Sequence, residues 1–473
     1  MENAMQFRKA VEGKVAHQKK AATIAFFILL VCWTPALIAG FPGYFTYDSG
    51  LGWLEQWGQY STGNLNAHHP VLHTLFVGSL ISVGQVLFDS FNAGVLLAVF
   101  VQALLVSFLL SFSLYQLLNL GMGKKGLVAS TVYLALNPII QLFAFCTTKD
   151  VLFSAFVVVY VVLLFRLVHE KDKSNTARVI LLSVLLFLIC VLRSNAIVAF
   201  LLALPIQLLL LKGLGKSLAV SAVAALLACG LFLGPISSAI GVKSSPIGLW
   251  NALCIPEQQL ARTAFSPSVD SADKDEIFSM FPGLEYKDNL SDIARNTMMN
   301  SGTSKGEMMK EWIRLGVKYP KQYLAAFIFH TKAVWNPIDP IRVYSNDLSQ
   351  SNVFGFVAQK PCEQIIINES LTDIYRFVSK DARASSVPIL GLLVGISLYV
   401  VLLIVAVAAG ARNKSRACMV AFLPLLLLVL SNLFGPAMLL RYFLYLIYGL
   451  PFFLWLGFRG SVAENSDSRH CRP

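Results

Sequence analysis

What this chain lacks first is charge. Only 14% of its 473 residues are Asp, Glu, Lys or Arg, against about 25% in soluble globular proteins. The deficit is concentrated in long runs almost free of charge, at residues 21–41, 93–118, 126–145, 388–411 and 437–458. About 20 apolar residues match the hydrocarbon thickness of a bilayer. A single run of this kind fits the core of a soluble protein, but so many in one chain do not. The expected fold is an all-α polytopic membrane protein. Ionisable residues are also scarce within the runs. Such residues mark ion and proton pathways, so their scarcity argues against a proton-coupled transporter. The eight cysteines lack metal-ligand spacing.

Acidic residues are outnumbered, 26 against 38 basic, for a net charge of +12. No nucleic-acid partner is needed to explain this excess, because the basic residues stand at the ends of the apolar runs, as the positive-inside rule requires. Arg8, Lys9, Lys14, Lys19 and Lys20 place the N-terminus in the cytoplasm. The first run exceeds the usual signal-peptide h-region of about 7–15 residues, so an uncleaved helix is expected. The segment 70–88 is apolar enough to span. If it spanned, Lys124, Lys125, Arg166, Lys171, Lys173, Arg178, Lys212, Lys216, Arg412, Lys414 and Arg416 would all face outward. We therefore read 70–88 as a juxtamembrane helix in the outer leaflet.

Ten spans follow, at about 21–41, 93–118, 126–145, 151–168, 178–193, 195–211, 217–236, 388–411, 417–435 and 437–458, lengths set by the bilayer. The pair 178–211 reads as a hairpin broken at Arg193-Ser194-Asn195, with one long tilted helix as the alternative. Residues 1–236 form an N-terminal transmembrane module with an outer loop at 42–92. Residues 237–387 carry balanced charge and read as a mainly helical extracytoplasmic segment. Residues 388–458 are C-terminal spans, and 459–473 are a cytoplasmic tail. Cys254 and Cys362 are the two cysteines of the outer segment. A disulfide between them and two free thiols are the open alternatives.

Polar residues gather at the outer helix ends. Asp48 follows Tyr44, Phe45 and Tyr47, and Trp53, Trp57 and Tyr60 recur at helical spacing, suited to headgroup depth. An Asp there also fits a helix cap or a turn. His68, His69 and His73 surround Pro70. They read either as interfacial residues before a helix that begins at proline or as phosphate contacts. Lys149 and Asp150 lie at the junction of two spans, and Arg193, Glu257, Arg262 and Arg441 sit near other outer helix ends. A single arginine at a helix end commonly snorkels. The shared side of all these residues points instead to a site.

The order of these features resembles the GT-C superfamily of membrane glycosyltransferases, which includes protein O-mannosyltransferases and lipid A aminoarabinose transferases. The resemblance is carried by an aromatic-Asp first loop, "HHPVLHTL", "LNPIIQLFAFCTTKD" and "LRSNA", and more weakly by "GPAMLLRYFLYLIYGLP". It covers about the first 200 residues and the end of the chain, and is closest to bacterial members of unassigned substrate. It implies a catalytic role for Asp48 and, as the second acidic residue, for Asp150. It also implies a polyprenyl-phosphate sugar as donor, and a cell-envelope glycan, lipid or protein as acceptor. Many members carry paired acids in the first loop, whereas Ser49 follows Asp48 here and the nearest acid is Glu55. His69 replaces a common lysine. Metal use therefore stays open: no cofactor is assigned, and a divalent metal is one alternative.

A phosphate leaving group needs positive charge rather than a second acid. His68, His69, Lys149, Arg193, Arg262 and Arg441 are the candidates for supplying it. Three rival readings remain, one of them a scaffold role in which every site substitution is silent. An O-antigen-type polymerase or ligase would use Arg262, Arg295 and His330 of the outer segment. A non-enzymatic flippase would need charged or broken helices at the membrane midplane.

Overall fold

The computed structural model describes residues 2–44, 65–170, 176–211, 215–245, 247–288, 290–337, 365–380 and 387–459. Among them the secondary structure is helical, with three isolated β-bridges and no named strand. By length and apolarity six helices can cross a bilayer, or seven if one bent pair counts as a span. The chain is an α-helical membrane protein.

The architecture is organised around one helix. Helix α1 (Glu2–Ala39) and a hairpin of α2 (Val71–Phe88) and α3 (Phe91–Asn119) come first. Then come α4 (Lys124–Leu136), the short α5 (Pro138–Ala144) and α6 (Lys149–His169). Every residue from 150 to 165 of α6 is buried, and the helix packs against α3, α7 (Thr176–Leu192) and two C-terminal helices. A helix that is apolar all round belongs in the middle of a bundle, and "VLFSAFVVVYVVLLF" is such a sequence. Helix α8 (Ser194–Leu210) packs on the C-terminal helix Arg416–Asn432, and α9 (Gly215–Leu231) on α7.

The break between α4 and α5 bends the chain by 61°. Pro138 cannot supply an N–H to continue α4. Asn137 caps the new helix, its Oδ1 accepting from the N–H groups of Ile139 and Ile140 at 3.0 and 3.3 Å. Broken backbone inside a membrane must find partners within the protein. Gln141 Nε2 donates to the carbonyls of Ala135 (2.7 Å) and Cys32 (3.1 Å). Gln102 Nε2 donates to those of Ala144 (3.1 Å) and Cys146 (2.9 Å). These bonds fix the chain that leads into Lys149 and Asp150.

The placement of α2 follows from the same landmarks. On α3, Gln102 lies at Cys146, and Gln116 receives a hydrogen bond from Arg166 near the far end of α6. The slab between Asp150 and Arg166 therefore uses residues 102–116 of α3. Residues 91–101 extend past the Asp150 level, and α2 packs beside them. Gly84 lies against the backbone of Gly94, 2.2 Å from where a Cβ would stand, so a side chain at either glycine would separate the pair. Helix α2 is itself long and apolar enough to cross a membrane. At the opposite end of the bundle Arg166 and Arg178 share Glu170, at 2.6 and 2.9 Å.

Residues 254–330, part of the segment expected outside the membrane, form a small core of their own from α10 (Cys254–Phe265), α11 (Ser271–Met280), α12 (Ser291–Asn300), α13 (Lys305–Lys318) and α14 (Pro320–His330). Leu260, Ile277, Phe281, Met298, Met308 and Leu315 fill it. A reciprocal Ser304–Glu307 capping box starts α13. Helix α15 (Glu369–Lys380) lies on the end of α1, with Thr372 Oγ1 donating to Ala39 O at 2.9 Å. The chain closes with α16 (Ile396–Arg412), α17 (Arg416–Asn432) and α18 (Leu444–Arg459).

Candidate functional site

The site grows from the start of α6. Asp150, in the first helical turn, is where the helix dipole favours an acid. Its side chain is fully buried. Arg193 Nη1 stands 2.9 Å from Asp150 Oδ1, and Arg441 Nη1 stands 3.7 Å from Oδ2. Thr148 Oγ1 donates to Oδ2 at 3.2 Å. A buried charge must be paired and hydrogen-bonded, and this one is.

Three chain breaks deliver these groups. Arg193 is the single residue between α7 and α8, its backbone extended at φ −146° and ψ 117°. Arg441 lies in the turn Leu440–Phe443 that precedes α18. The breaks are braced to one another. Asn195 Nδ2 donates to Ser431 Oγ and Asn432 Oδ1, each at 3.0 Å, and Asn432 Nδ2 donates to Tyr442 O at 2.9 Å. The Tyr442 ring takes the Arg193 guanidinium at 4.4 Å and that of Arg441 at 5.0 Å. Sequence reasoning missed Asn195, Asn432 and Tyr442. The signal was the pairing of polar residues with each break, in "RSN", "SN" and "RY".

The chain that follows α1 is tied to this region at Tyr44. Tyr44 forms a parallel bridge with Cys146. Its N–H donates to Phe145 O at 2.9 Å, and its carbonyl accepts from the Thr147 N–H at 3.0 Å. At the return, the N–H of Lys243 donates to Leu65 O at 2.8 Å and that of Ala67 to Lys243 O at 2.9 Å. His73, in the first turn of α2, is 5% exposed and its Nε2 has no hydrogen-bond partner. His68 is exposed, and its ring meets that of His69 edge to face at 4.4 Å. Asp48, Glu55, Trp53, Trp57 and Tyr60 lie outside the described residues.

The structure thus brings Lys149, Asp150, Arg193 and Arg441 to one end of the bundle. It does not bring Arg262 to them. Arg262 Nη1 binds Asp288 Oδ1 at 2.9 Å and the Tyr286 hydroxyl at 3.0 Å, and its guanidinium covers the Phe329 ring at 4.7 Å. All these partners belong to the outer segment, so Arg262 holds that fold together. Cys254 carries a free, buried thiol, its Sγ 3.0 Å from Asn251 O. Cys362 lies outside the described residues. No group of three metal-ligating side chains occurs among the described residues.

Glu257 on α10 is fully buried, and neither carboxylate oxygen has a hydrogen-bond partner. Burial pushes it up to about 8, with Arg295 opposing and Asp292 adding to the rise. The neighbouring α12 clasps the loop before Arg441. Ser291 N–H and Oγ both donate to Pro436 O at 3.0 Å, and Leu290 bridges Ala437. His330 Nε2 meets Gly435 O at 2.8 Å.

Fold and site together define a multi-pass helical membrane protein with a buried cluster of ion-paired side chains at one end of its bundle. The chain belongs to a family of unknown function, DUF6020, whose model matches residues 55–470. No curated protein and no solved structure matches it.

Proposed function

We propose that the protein transfers a sugar from a polyprenyl-phosphate donor to an extracytoplasmic acceptor of the cell envelope, with inversion at the anomeric carbon. The observation that carries the reading is the convergence of Arg193 and Arg441 on a single described carboxylate, Asp150, whose neighbour in the chain is Lys149. The first outer loop is pinned beside them at Tyr44, four residues before Asp48. Among the described residues, two guanidiniums and one ammonium gather where a phosphate leaving group would need them.

In this mechanism Asp48 takes the proton of an acceptor hydroxyl. The acceptor oxygen attacks the anomeric carbon as the bond from that carbon to the phosphate oxygen breaks. The electron pair leaves on the polyprenyl phosphate, and positive charge from Lys149 and Arg441 stabilises it. Asp150 acts through Arg193 and is a positioning residue, not a second base. The protein would sit in the cytoplasmic membrane with ten spans and both termini inside. The site then faces outward, and the Arg166–Glu170–Arg178 cluster faces the cytoplasm, as the positive-inside rule requires.

The test is transfer of labelled sugar in membranes. Asp48→Asn abolishes it while the variant inserts and elutes as the wild type does. Full activity of that variant would remove Asp48 from the chemistry.

A further inference from the structure

We propose that the exposed rings of Phe265, Phe278, Tyr286 and Phe329, together with the Asp288 carboxylate, form a platform that holds a neutral glycan as the acceptor. The proposal rests on the glycosyl-transfer reading for the acceptor role and for placing these residues outside the membrane.

The rings make one connected surface. Phe265 ends α10, Phe278 stands on α11 and Phe329 on α14, and they are 49%, 36% and 37% exposed. The Phe278 ring meets that of Phe265 edge to face at 5.5 Å, and the Tyr286 ring lies 6.2 Å from Phe265, 23° from parallel. The Arg262 guanidinium links Tyr286 to Phe329, at 6.0 and 4.7 Å from their centroids. Single exposed apolar residues are ordinary, whereas a connected patch marks a binding surface. The small core does not account for the patch: it takes Ile277 and Phe281 and leaves Phe278 outside.

The polar groups among the rings select the occupant. The face of an aromatic ring carries negative potential, which attracts the polarised C–H groups of a pyranose. The hydroxyls of that sugar need acceptors beside the rings, and an ionised acceptor makes the stronger bond. Asp288 supplies one. Its side chain is 52% exposed. Its Oδ1 accepts from Arg262 Nη1 at 2.9 Å and from the Tyr286 hydroxyl, while Oδ2 takes no hydrogen bond from the described residues. A lipid surface is the poorer match. Within three residues of the four rings stand Asp275, Glu276, Glu285 and Asp288 against Arg262, Lys287 and Lys332. Patches drawn to anionic headgroups carry a basic surplus instead.

The platform is also held in place and tied to the site. Gln258 Nε2 donates to the carbonyls of Lys287 and Asp288, fixing the loop that carries Tyr286. A preformed surface loses less freedom on binding. His330, next to Phe329, meets Gly435 O at 2.8 Å, in the loop before Arg441. A sugar chain on the rings is thereby anchored to the segment that delivers a site arginine.

The test uses the full-length protein in a detergent without a sugar headgroup. It is probed on an array of neutral hexose and N-acetylhexosamine oligomers, then titrated with those it retains. Phe265→Ala should weaken binding about tenfold or more, the usual result of truncating an anchoring ring. Phe265→Trp keeps a ring and should retain most of the affinity. If Phe265→Ala does not fold, Phe278→Ala reads the same surface and should show a comparable loss. In nanodiscs, a fluorophore on Phe278→Cys should escape quenching by lipids with brominated chains. Retention of no oligomer, unchanged affinity in a folded Phe265→Ala, or quenching of that fluorophore overturns the proposal. Glycan binding through the rings without sugar transfer by the wild type removes the transfer reading alone. Sugar transfer by a wild type that binds no oligomer removes this platform alone.

Discussion

Replacing Asp150 tests the logic of the site most directly. At 2.9 Å from Arg193, an effective dielectric near 20 gives an attraction of about 6 kcal/mol. The desolvation of both groups offsets most of it, so the net worth of the pair is small. Breaking it is another matter. Removing one partner of a buried pair costs about 3–5 kcal/mol, because the other charge stays behind. The two partners are not equivalent. Asp150→Asn strands Arg193, whose side chain is 10% exposed, and also takes a carboxylate from Arg441, which is 2% exposed. Arg193→Met leaves Asp150 with Arg441 at 3.7 Å and the Thr148 hydroxyl at 3.2 Å. Asp150→Asn should therefore be the more damaging change, and the double variant should cost less than the sum of the singles. The assay is the loss of monodisperse protein on heating in detergent, compared across the four proteins of the cycle. Additive effects, or a larger loss in Arg193→Met, would refute the shared-carboxylate account.

Two further outcomes follow from the outer segment. Glu257 is held near 8 against an ordinary value of 4.5, so between those pH values the folded protein keeps a proton that the unfolded chain releases. Its contribution is therefore most favourable at low pH and declines as pH rises through that window, by at most about 5 kcal/mol. Glu257→Gln should flatten the fall in Tm between about pH 5 and about pH 8.5, and an unchanged pH profile would contradict the burial argument. Separately, Leu290 and Ala437 face each other in an antiparallel bridge, where Cα atoms stand about 4.5–5.5 Å apart, within disulfide range. Leu290→Cys with Ala437→Cys should cross-link on mild oxidation, read by mass spectrometry. A folded double variant that stays reduced would show that α12 does not clasp this loop.

The helices were legible because apolar length and flanking charge are one-dimensional properties. Of the ten expected spans, five are helices long and apolar enough to cross a membrane and 126–145 is a bent pair, whereas the other four are shorter apolar helices, with 388–411 broken before Ile396; α2, expected to lie beside the membrane, is also long and apolar enough to cross it. The 61° bend was partly legible in "NP", since proline ends a helix, but the glutamines that satisfy the freed carbonyls come from 42 and 6 positions away and from separate elements. The site was legible only as a shared side. That Asp150 pairs with Arg193 and Arg441, not with the adjacent Lys149, follows from helical geometry: consecutive side chains diverge around the axis, while α7, α8 and α18 deliver their ends to the same level. Arg262 shows the converse. Its position at a helix end resembled that of Arg193, yet Asp288 and Phe329, 26 and 67 residues further on, draw it into the outer core. A cation at the end of a membrane helix becomes part of a site only when a second broken helix brings it an acid. In this chain the breaks at Asn137-Pro138, Arg193 and Leu439–Phe443 do that.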